Sequence, residues 1–279
     1  MSRVLKKRKR DTYKGDYGHV LIVAGSSGMT GAAYLASEAA LLTGSGLVTC
    51  AIPKSLNQIM EKKLTEVMTL PVEDRGKGHF ISSGFCKIRD FSEKTDVVAI
   101  GPGLSKTKEV RVFVKKLLRG LNVPIVLDAD GLNCIADKPD VLKEVKKPVV
   151  ITPHPGELSR LNKKKVDKIQ KNRTIFAKEF SDKYGVTVIL KGSQTLVASP
   201  GKKTYINRTG NPGMASGGTG DVLTGMVASL IGQGYPVYEA AQKAVYLHGL
   251  AGDAAAEDKG EPSLRAQDIL DHIYKATKQ

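Results

Sequence analysis

No run of about 18 apolar residues occurs in this sequence, so no membrane-spanning helix is expected. The basic start MSRVLKKRKRDTYKGDYG has no apolar stretch behind it, which excludes a secretory signal. Cysteine is scarce: Cys50, Cys86 and Cys134 are widely spaced, form no CxxC pair, and each lies in or beside an apolar segment. Buried free thiols and a cytoplasmic protein are therefore expected. Aromatic residues make up only 5% of the chain, and none interleave with the basic runs Lys6–Arg10 and Lys163–Lys165 or with Lys143, Lys146 and Lys147. A stacking platform for nucleic acid is thus missing. The net charge of +15 reads instead as a solvated surface biased towards anionic small ligands, with neither nucleic acid nor membrane as a partner. There is no internal repeat and no low-complexity segment.

What is present is a regular alternation. The apolar runs Val20–Ala24, Leu47–Ile52, Val97–Ile100, Ile125–Leu127, Val149–Ile151 and Val186–Leu190 read as strands. Between them lie helical stretches: Ala-rich Gly31–Thr43, Lys108–Leu118 with Val110, Val114, Leu117 and Leu118 on one face, and amphipathic Val166–Lys183. Leu196–Ser199 and Lys203–Ile206 flank Pro200-Gly201 as a hairpin, and three helices close the chain. This pattern predicts an α/β fold, a mostly parallel central sheet with helices on both faces. Residues 14–279 are expected to form one domain, preceded by a basic tail, residues 1–13, expected to be disordered. Five strands run directly into unusual loops: Gly25-Ser26-Ser27-Gly28, Gly101-Pro102-Gly103, Asp128-Ala129-Asp130-Gly131, Thr152-Pro153-His154-Pro155-Gly156-Glu157 and Lys191-Gly192. Ligands of such sheets sit beyond the carboxyl ends of the strands, so these loops point to one shared site.

The strongest signal is Asn207 to Asp221, NRTGNPGMASGGTGD, followed by a helix whose Val222, Met226 and Leu230, and Leu223, Val227 and Ile231, form one buried face. Gly217, Gly218 and Gly220 carry no Cβ, so phosphate oxygens can approach the backbone. The free N–H groups of the helix start and its dipole favour an anion there. Asp221 in the first turn is placed to take a proton from a hydroxyl that attacks the phosphate. Anion hole plus carboxylate suggests phosphoryl transfer. An isolated GTGD is as often a capped helix start; the long Gly-rich context favours the site. No Walker loop occurs, and GSSGMTG after the first strand is not a GxGxxG dinucleotide fingerprint.

Asn207 to Asp221, continuing as GGTGDVLTG, resembles the signature of the ADP/ATP-dependent NAD(P)H-hydrate dehydratases of the ribokinase-like superfamily. Thr152–Glu157 (TPHPGE) resembles the second motif of that family. Lys14–Gly18, the Ala-rich helix, Gly101-Pro102-Gly103 and Leu190-Lys191-Gly192 agree in order and spacing, so the likeness spans residues 12–275. It implies a ribokinase-like fold and repair of the S-epimers of NADHX and NADPHX, nicotinamide cofactors hydrated on the ring. Water is lost at the expense of ADP or ATP, with Mg²⁺ arriving on the nucleotide. Carried over by position, Asp221 is the base and a substrate contact. Ala40, Gly103 and His154 contact the hydrate. Lys191, Gly192, Ser193, Gln194, Thr195 and Gly220 bind the adenine nucleotide. No carboxylate cage marks a resident metal. Glu157 caps the next helix or places a metal through water, and Asp128 and Asp130 orient the site or cap a helix. The epimerase domain that many members carry has no counterpart here, so a separate epimerase is expected, as is a homo-oligomer. The alternative is a superfamily kinase of the hydroxymethylpyrimidine or thiazole type, using the same Asp221 but releasing a phosphorylated product.

Overall fold

In the computed structural model, which describes residues 5–278, nine strands form one sheet in the order β3-β2-β1-β4-β5-β6-β7-β8-β9. They are β1 His19–Val23, β2 Leu47–Pro53, β3 Met68–Val72, β4 Val97–Ile100, β5 Ile125–Leu127, β6 Val149–Ile151, β7 Thr187–Leu190, β8 Leu196–Ala198 and β9 Tyr205–Ile206. Strands β1 to β7 pair in parallel, and β8 and β9 continue the sheet antiparallel, with Leu190 opposite Leu196 and Leu196 opposite Ile206. The helices are α1 Thr30–Leu42, α2 Asn57–Lys63, α3 Phe85–Ser92, α4 Lys108–Gly120, α5 Ala129–Ile135 and α6 Pro155–Asn162. They continue with α7 Val166–Lys171, α8 Arg173–Tyr184, α9 Thr219–Gly232, α10 Val237–Lys259 and α11 Ala266–Thr277.

Successive side chains of a strand point to opposite faces, and here both faces are covered. Val20 and Ile22 join a core with residues of α1, α9, α10 and α11; Leu21 and Val23 join the core built by α3 to α8. The helix after the Gly-rich loop is buried more completely than a one-faced pattern predicts. Every α9 residue from Val222 to Gly232 is buried, because it packs on strands β1, β4 and β5 from one side and on α1 and α10 from the others. At the α1 crossing a Cβ on Gly225 would lie 2.1 Å from the carbonyl oxygen of Ala36.

Four expectations need correction. Val166–Lys183 is not one helix: Asn172, at φ −138° and ψ 43°, separates α7 from α8, in keeping with asparagine's preference for local backbone bonds outside helices. Strand β3 was not legible, because it is a half-exposed edge strand carrying Pro71, where a missing N–H costs little. Cys50 and Cys134 are buried free thiols, but Cys86 is exposed on the short helix α3. Finally, residues 5–13 lie against the body; residues 1–4 fall outside the described part. The Lys6 N–H donates to Tyr235 Oη at 2.7 Å, and Arg8 Nη2 donates to the Gly44 carbonyl at 2.6 Å. The attraction has a simple origin: the C-terminal ends of α1 and α9 meet there, and their negative dipole ends favour cations.

Among the described residues no helix is long and apolar enough to cross a membrane.

Candidate active site

The chain reverses its direction of sheet growth between β1 and β4, which are neighbours although β2 and β3 intervene in sequence. Their loops meet: Ser26 Oγ donates to the Gly103 carbonyl at 2.8 Å, and the Gly25 N–H donates to Pro102 at 2.8 Å. Gly103, at φ +62°, presses on the start of α1, where a Cβ would lie 2.7 Å from the Met29 carbonyl oxygen. It is buried, so what it offers at this crevice is close backbone approach.

On the other side of α9 lies a cavity of about 580 Å³. His154, Lys191, Gly192, Ser193, Gln194, Thr195 and Gly220, all singled out in the sequence, line it together. Residues 207–212 and His248 also line it, with further residues of α9 and α10. Asp221 is not in that wall but follows Gly220 directly, half-buried in the first turn of α9. Ala40 has no exposed surface; it lies on α1 within the core, away from the wall of this cavity.

Helix α9 starts without a side-chain cap. Its N-cap, Gly218, stands at φ +94°, a left-handed conformation that side chains resist. The N–H groups of Thr219 and Gly220 have no acceptor among the described residues, while those of Asp221 and Val222 turn back to Gly218. A Cβ on Gly220 would sit 3.2 Å from Lys191 Nζ, so the bare backbone and the ammonium face one small space. Both favour an anion there.

The charges around that space are interlocked. Asp128, at the end of β5 and 1% exposed, accepts from Lys191 Nζ at 2.7 Å and from Thr224 Oγ1 at 2.7 Å. Lys191 also lies 3.9 Å from Glu157 Oε2. Burial alone would lower the Lys191 ammonium, but Asp128 and Glu157 outweigh it and hold it above the ordinary lysine value. Burial pushes the Asp221 carboxyl up, the Asp128 charge adds to that, and Lys191 opposes both; the result is about 7. A carboxylate near neutrality is suited to general base work.

The TPHPGE loop is built as a helix start. The Glu157 carboxylate accepts the His154 N–H at 2.8 Å, and His154 Nδ1 accepts the Gly156 N–H at 3.0 Å. His154 is thus the N-cap of α6 and Glu157 the third-residue partner of its capping box, and burial pushes the Glu157 carboxyl up, against Lys191. The Nδ1 contact leaves the His154 proton on Nε2, 3.4 Å from Glu157 Oε1. Burial and then the charges of Lys191 and Arg160 hold this imidazole below its ordinary value, hence neutral at pH 7.

Sequence reading missed two site-builders. Arg173, on α8, donates to the carbonyls of Leu190 and Lys191 at 3.2 and 3.3 Å, and also to Ser193. One guanidinium thus gathers three carbonyls of the turn after β7, while the Lys191 N–H is held by the Pro153 carbonyl at 2.9 Å. His248, on α10, donates its Nε2–H to the Thr219 carbonyl at 3.0 Å, and burial lowers it to about 4, so it stays neutral. Neither has a sequence signal, since both lie within helical stretches far from the motifs.

Comparison with known proteins identifies the family and the fold. A family model described as NAD(P)H-hydrate dehydratase matches residues 20–275. The chain is 44% identical over 269 residues to the bifunctional NAD(P)H-hydrate repair enzyme Nnr of Moorella thermoacetica, covering 96% of this chain and 51% of that protein. It thus spans about half the length of that relative. It is 35% identical to the ADP-dependent (S)-NAD(P)H-hydrate dehydratase of Neisseria meningitidis, covering 92% of this chain and 83% of that protein. The crystal structure of the ADP/ATP-dependent NAD(P)H-hydrate dehydratase of Bacillus subtilis, co-crystallised with ATP/Mg²⁺, superposes with a TM-score of 0.84 at 32% identity, covering 98% of this chain and 94% of that one. The fold is accordingly ribokinase-like, and the chain belongs to the NAD(P)H-hydrate dehydratase family.

Proposed function

We propose that the chain dehydrates the S-epimers of NADHX and NADPHX, using an adenine nucleotide as the driving co-substrate. The observation that carries the reading is the placement of Asp221. A carboxyl pushed to about 7 stands at a helix start with free N–H groups, beside a cavity lined by Lys191–Thr195 and His154. The nucleotide lies in the cavity. Its terminal phosphoryl group meets the Thr219 and Gly220 N–H groups and Lys191, which stabilise the charge that develops in transfer. The hydrate enters from the crevice between the β1 and β4 loops, beside Gly103, with its ring hydroxyl at Asp221 and its edge towards His154.

Asp221 takes the hydroxyl proton as the oxygen attacks the phosphorus; the new O–P bond forms as the bond to the nucleotide breaks. The ring C–O bond then breaks, phosphate leaves with the bonding pair, and loss of a proton from the neighbouring carbon re-forms the double bond. The products are NAD(P)H, inorganic phosphate, and AMP from ADP or ADP from ATP. We propose ADP as the donor, on the strength of the Neisseria relative, which is named ADP-dependent.

Among the described residues no group of three His, Cys, Asp or Glu is placed to hold a metal, and Asp128 and Glu157 are already engaged by Lys191. The donors do not form a metal cage; Mg²⁺ belongs to this reading as the nucleotide's counter-ion, and no residue is assigned to it. Free thiols fit a cytoplasmic setting. An epimerase activity would supply the S-epimer.

The test is recovery of reduced-nicotinamide absorbance from purified NADHX with Mg²⁺ and ADP or ATP. Wild type is expected to recover it only with nucleotide, and Asp221→Asn to lose nearly all of that rate. Folded wild type that recovers nothing with either nucleotide would sink the dehydratase reading in favour of a kinase, whose phosphorylated product would then be sought.

A further inference from the structure

The Gly-rich loop before α9 carries no regular structure beyond one short 3₁₀ turn, Pro212–Met214, so its shape must come from elsewhere. It comes from one face of α10. The residues concerned, Val245, Tyr246, His248, Gly249, Gly252 and Asp253, are spaced as neighbours on one side of a helix. Two of them are glycines where no side chain fits: a Cβ on Gly249 would lie 2.1 Å from Thr209 Oγ1, and one on Gly252 would lie 2.3 Å from Met214 Sδ.

The polar contacts are made along the same face. Asn207 Nδ2 donates to the Val245 carbonyl at 3.1 Å, and Thr209 Oγ1 to the Tyr246 carbonyl at 2.9 Å. His248 Nε2–H donates to Thr219, the first residue of α9, at 3.0 Å. Asp253 makes two bonds: Oδ2 accepts the Gly210 N–H at 2.9 Å and Oδ1 accepts from Asn211 Nδ2 at 3.0 Å. Asn211 Oδ1 in turn accepts the Gly213 N–H at 3.0 Å. Asp253 is therefore the one charged group on this face that grips the backbone of the loop, and it does so through residues that line the cavity.

We propose that Asp253 is a positioning residue for the nucleotide site: it sets the Asn207–Thr219 loop in its binding shape before the ligand arrives. The proposal rests on the reading above that this cavity takes an adenine nucleotide. A loop already set loses little freedom on binding, whereas a loop that samples other shapes binds more weakly by the fraction of time it is competent. Asp253 touches no reacting atom in this scheme; it acts through Gly210 and Asn211.

The geometry supplies its own control. Asp253→Asn keeps the size of the side chain and an acceptor for Gly210, but sets one amide NH₂ against that of Asn211. Adding Asn211→Asp reverses the donor and acceptor, restores complementarity, keeps an acceptor for Gly213 and returns the net charge to that of wild type. Two quantities are read on each protein: amide exchange over residues 207–219 without nucleotide, and calorimetric affinity for ADP and for ATP. Asp253→Asn is expected to lose protection at Gly210 to Gly213 and to bind nucleotide about tenfold more weakly, the loss of one charge-assisted bond. Nucleotide KM should rise more than kcat falls, and the double variant should recover both protection and affinity. Unchanged protection and affinity in Asp253→Asn, or a folded double variant that recovers neither, would overturn the proposal. Exchange is read without nucleotide, so a wild type that binds neither ADP nor ATP sinks the proposed activity while exchange still decides the clamp. Should Asp253→Asn not fold, Asn211→Ala removes one of the same bonds from the loop side and is judged by the same readings.

Discussion

Lys191 turns its ammonium inward onto Asp128, 63 residues earlier in the chain, at 2.7 Å. The second oxygen of the same carboxylate takes the hydroxyl of Thr224 at 2.7 Å. One buried group therefore ties the end of β5 to the lysine after β7 and to the second turn of α9. Lys191 and the helix bearing Asp221 are held in register by a residue that itself belongs to neither.

Removing that charge should be costly. Breaking a buried pair from one side leaves the other charge uncompensated, and Lys191 is only 19% exposed. Asp128→Asn is expected to lower stability by about 3 kcal/mol, read as the midpoint of chemical denaturation, and to cut turnover because Lys191 and α9 lose their common anchor. Asp130→Asn is the comparison: its carboxylate bonds to the Ser105 N–H and to Asn133 near the surface, so its change should be smaller. Equal losses from the two would mean that the 2.7 Å contact to Lys191 carries no particular weight.

The Asp221 carboxyl gives a pH dependence of definite sign. Its folded value, about 7, lies above the ordinary carboxylate value of 3.8. Folding therefore disfavours its ionised form, and stability falls as pH rises from about 4 to about 7, then levels off. Asp221→Asn should be more stable than wild type above pH 7, by up to about 4 kcal/mol, and the difference should vanish towards pH 3. In the proposed mechanism the ionised form is the base, so wild-type kcat/KM should rise with pH through about 7. His248, lowered to about 4, is already neutral there and cannot supply that limb. Thermal unfolding of both proteins between pH 4 and 8 checks the first statement, and a pH–rate profile the second. A variant that gains nothing at pH 8 would mean that Asp221 folds without cost.

Much of this was legible in the sequence, and the boundary has physical reasons. Buried parallel strands must be apolar throughout, so Val97–Ile100 and Val149–Ile151 announced themselves, as did the polar loops at their ends. Strand β3, half-exposed and holding Pro71, carried no such signature. The loop residues His154, Lys191 and Gly220 were found because the polypeptide places unusual residues where a helix or strand stops. Asp128 was left between capping and site work, because nothing in a linear pattern says that a lysine two strands over in the sheet will reach it. Asp253 and His248 were missed for a different reason. They lie inside the 23-residue helix α10, where a polar residue reads as solvent-facing unless the loop packed against it is known. Ala40, carried over by resemblance alone, is buried on α1, as Gly103 is after β4.

Two glycines of the same helix separate site from scaffold. At Gly220 an added Cβ would meet the far end of the Lys191 side chain at 3.2 Å, which need yield only slightly while keeping its bond to Asp128, so folding should be little affected. The methyl group would nonetheless occupy the space between the free N–H groups and the ammonium, where the phosphoryl group is proposed to sit. Gly220→Ala is expected to keep its melting temperature within about 2 °C of wild type while nucleotide KM rises at least about tenfold. At Gly225 the added Cβ would lie 2.1 Å from the backbone oxygen of Ala36 and 2.9 Å from Ala39 Cβ, neither of which can swing away. Helices α1 and α9 would have to separate, and overpacking of that kind costs about 1–3 kcal/mol or more. Gly225→Ala should therefore lose stability first, with activity falling only as the folded fraction falls. Melting curves and nucleotide KM for the two variants decide the matter. A Gly220→Ala protein that binds nucleotide normally would show that the start of α9 is not where the phosphoryl group is held, and would return Lys191–Thr195 to consideration as the whole of the anion site.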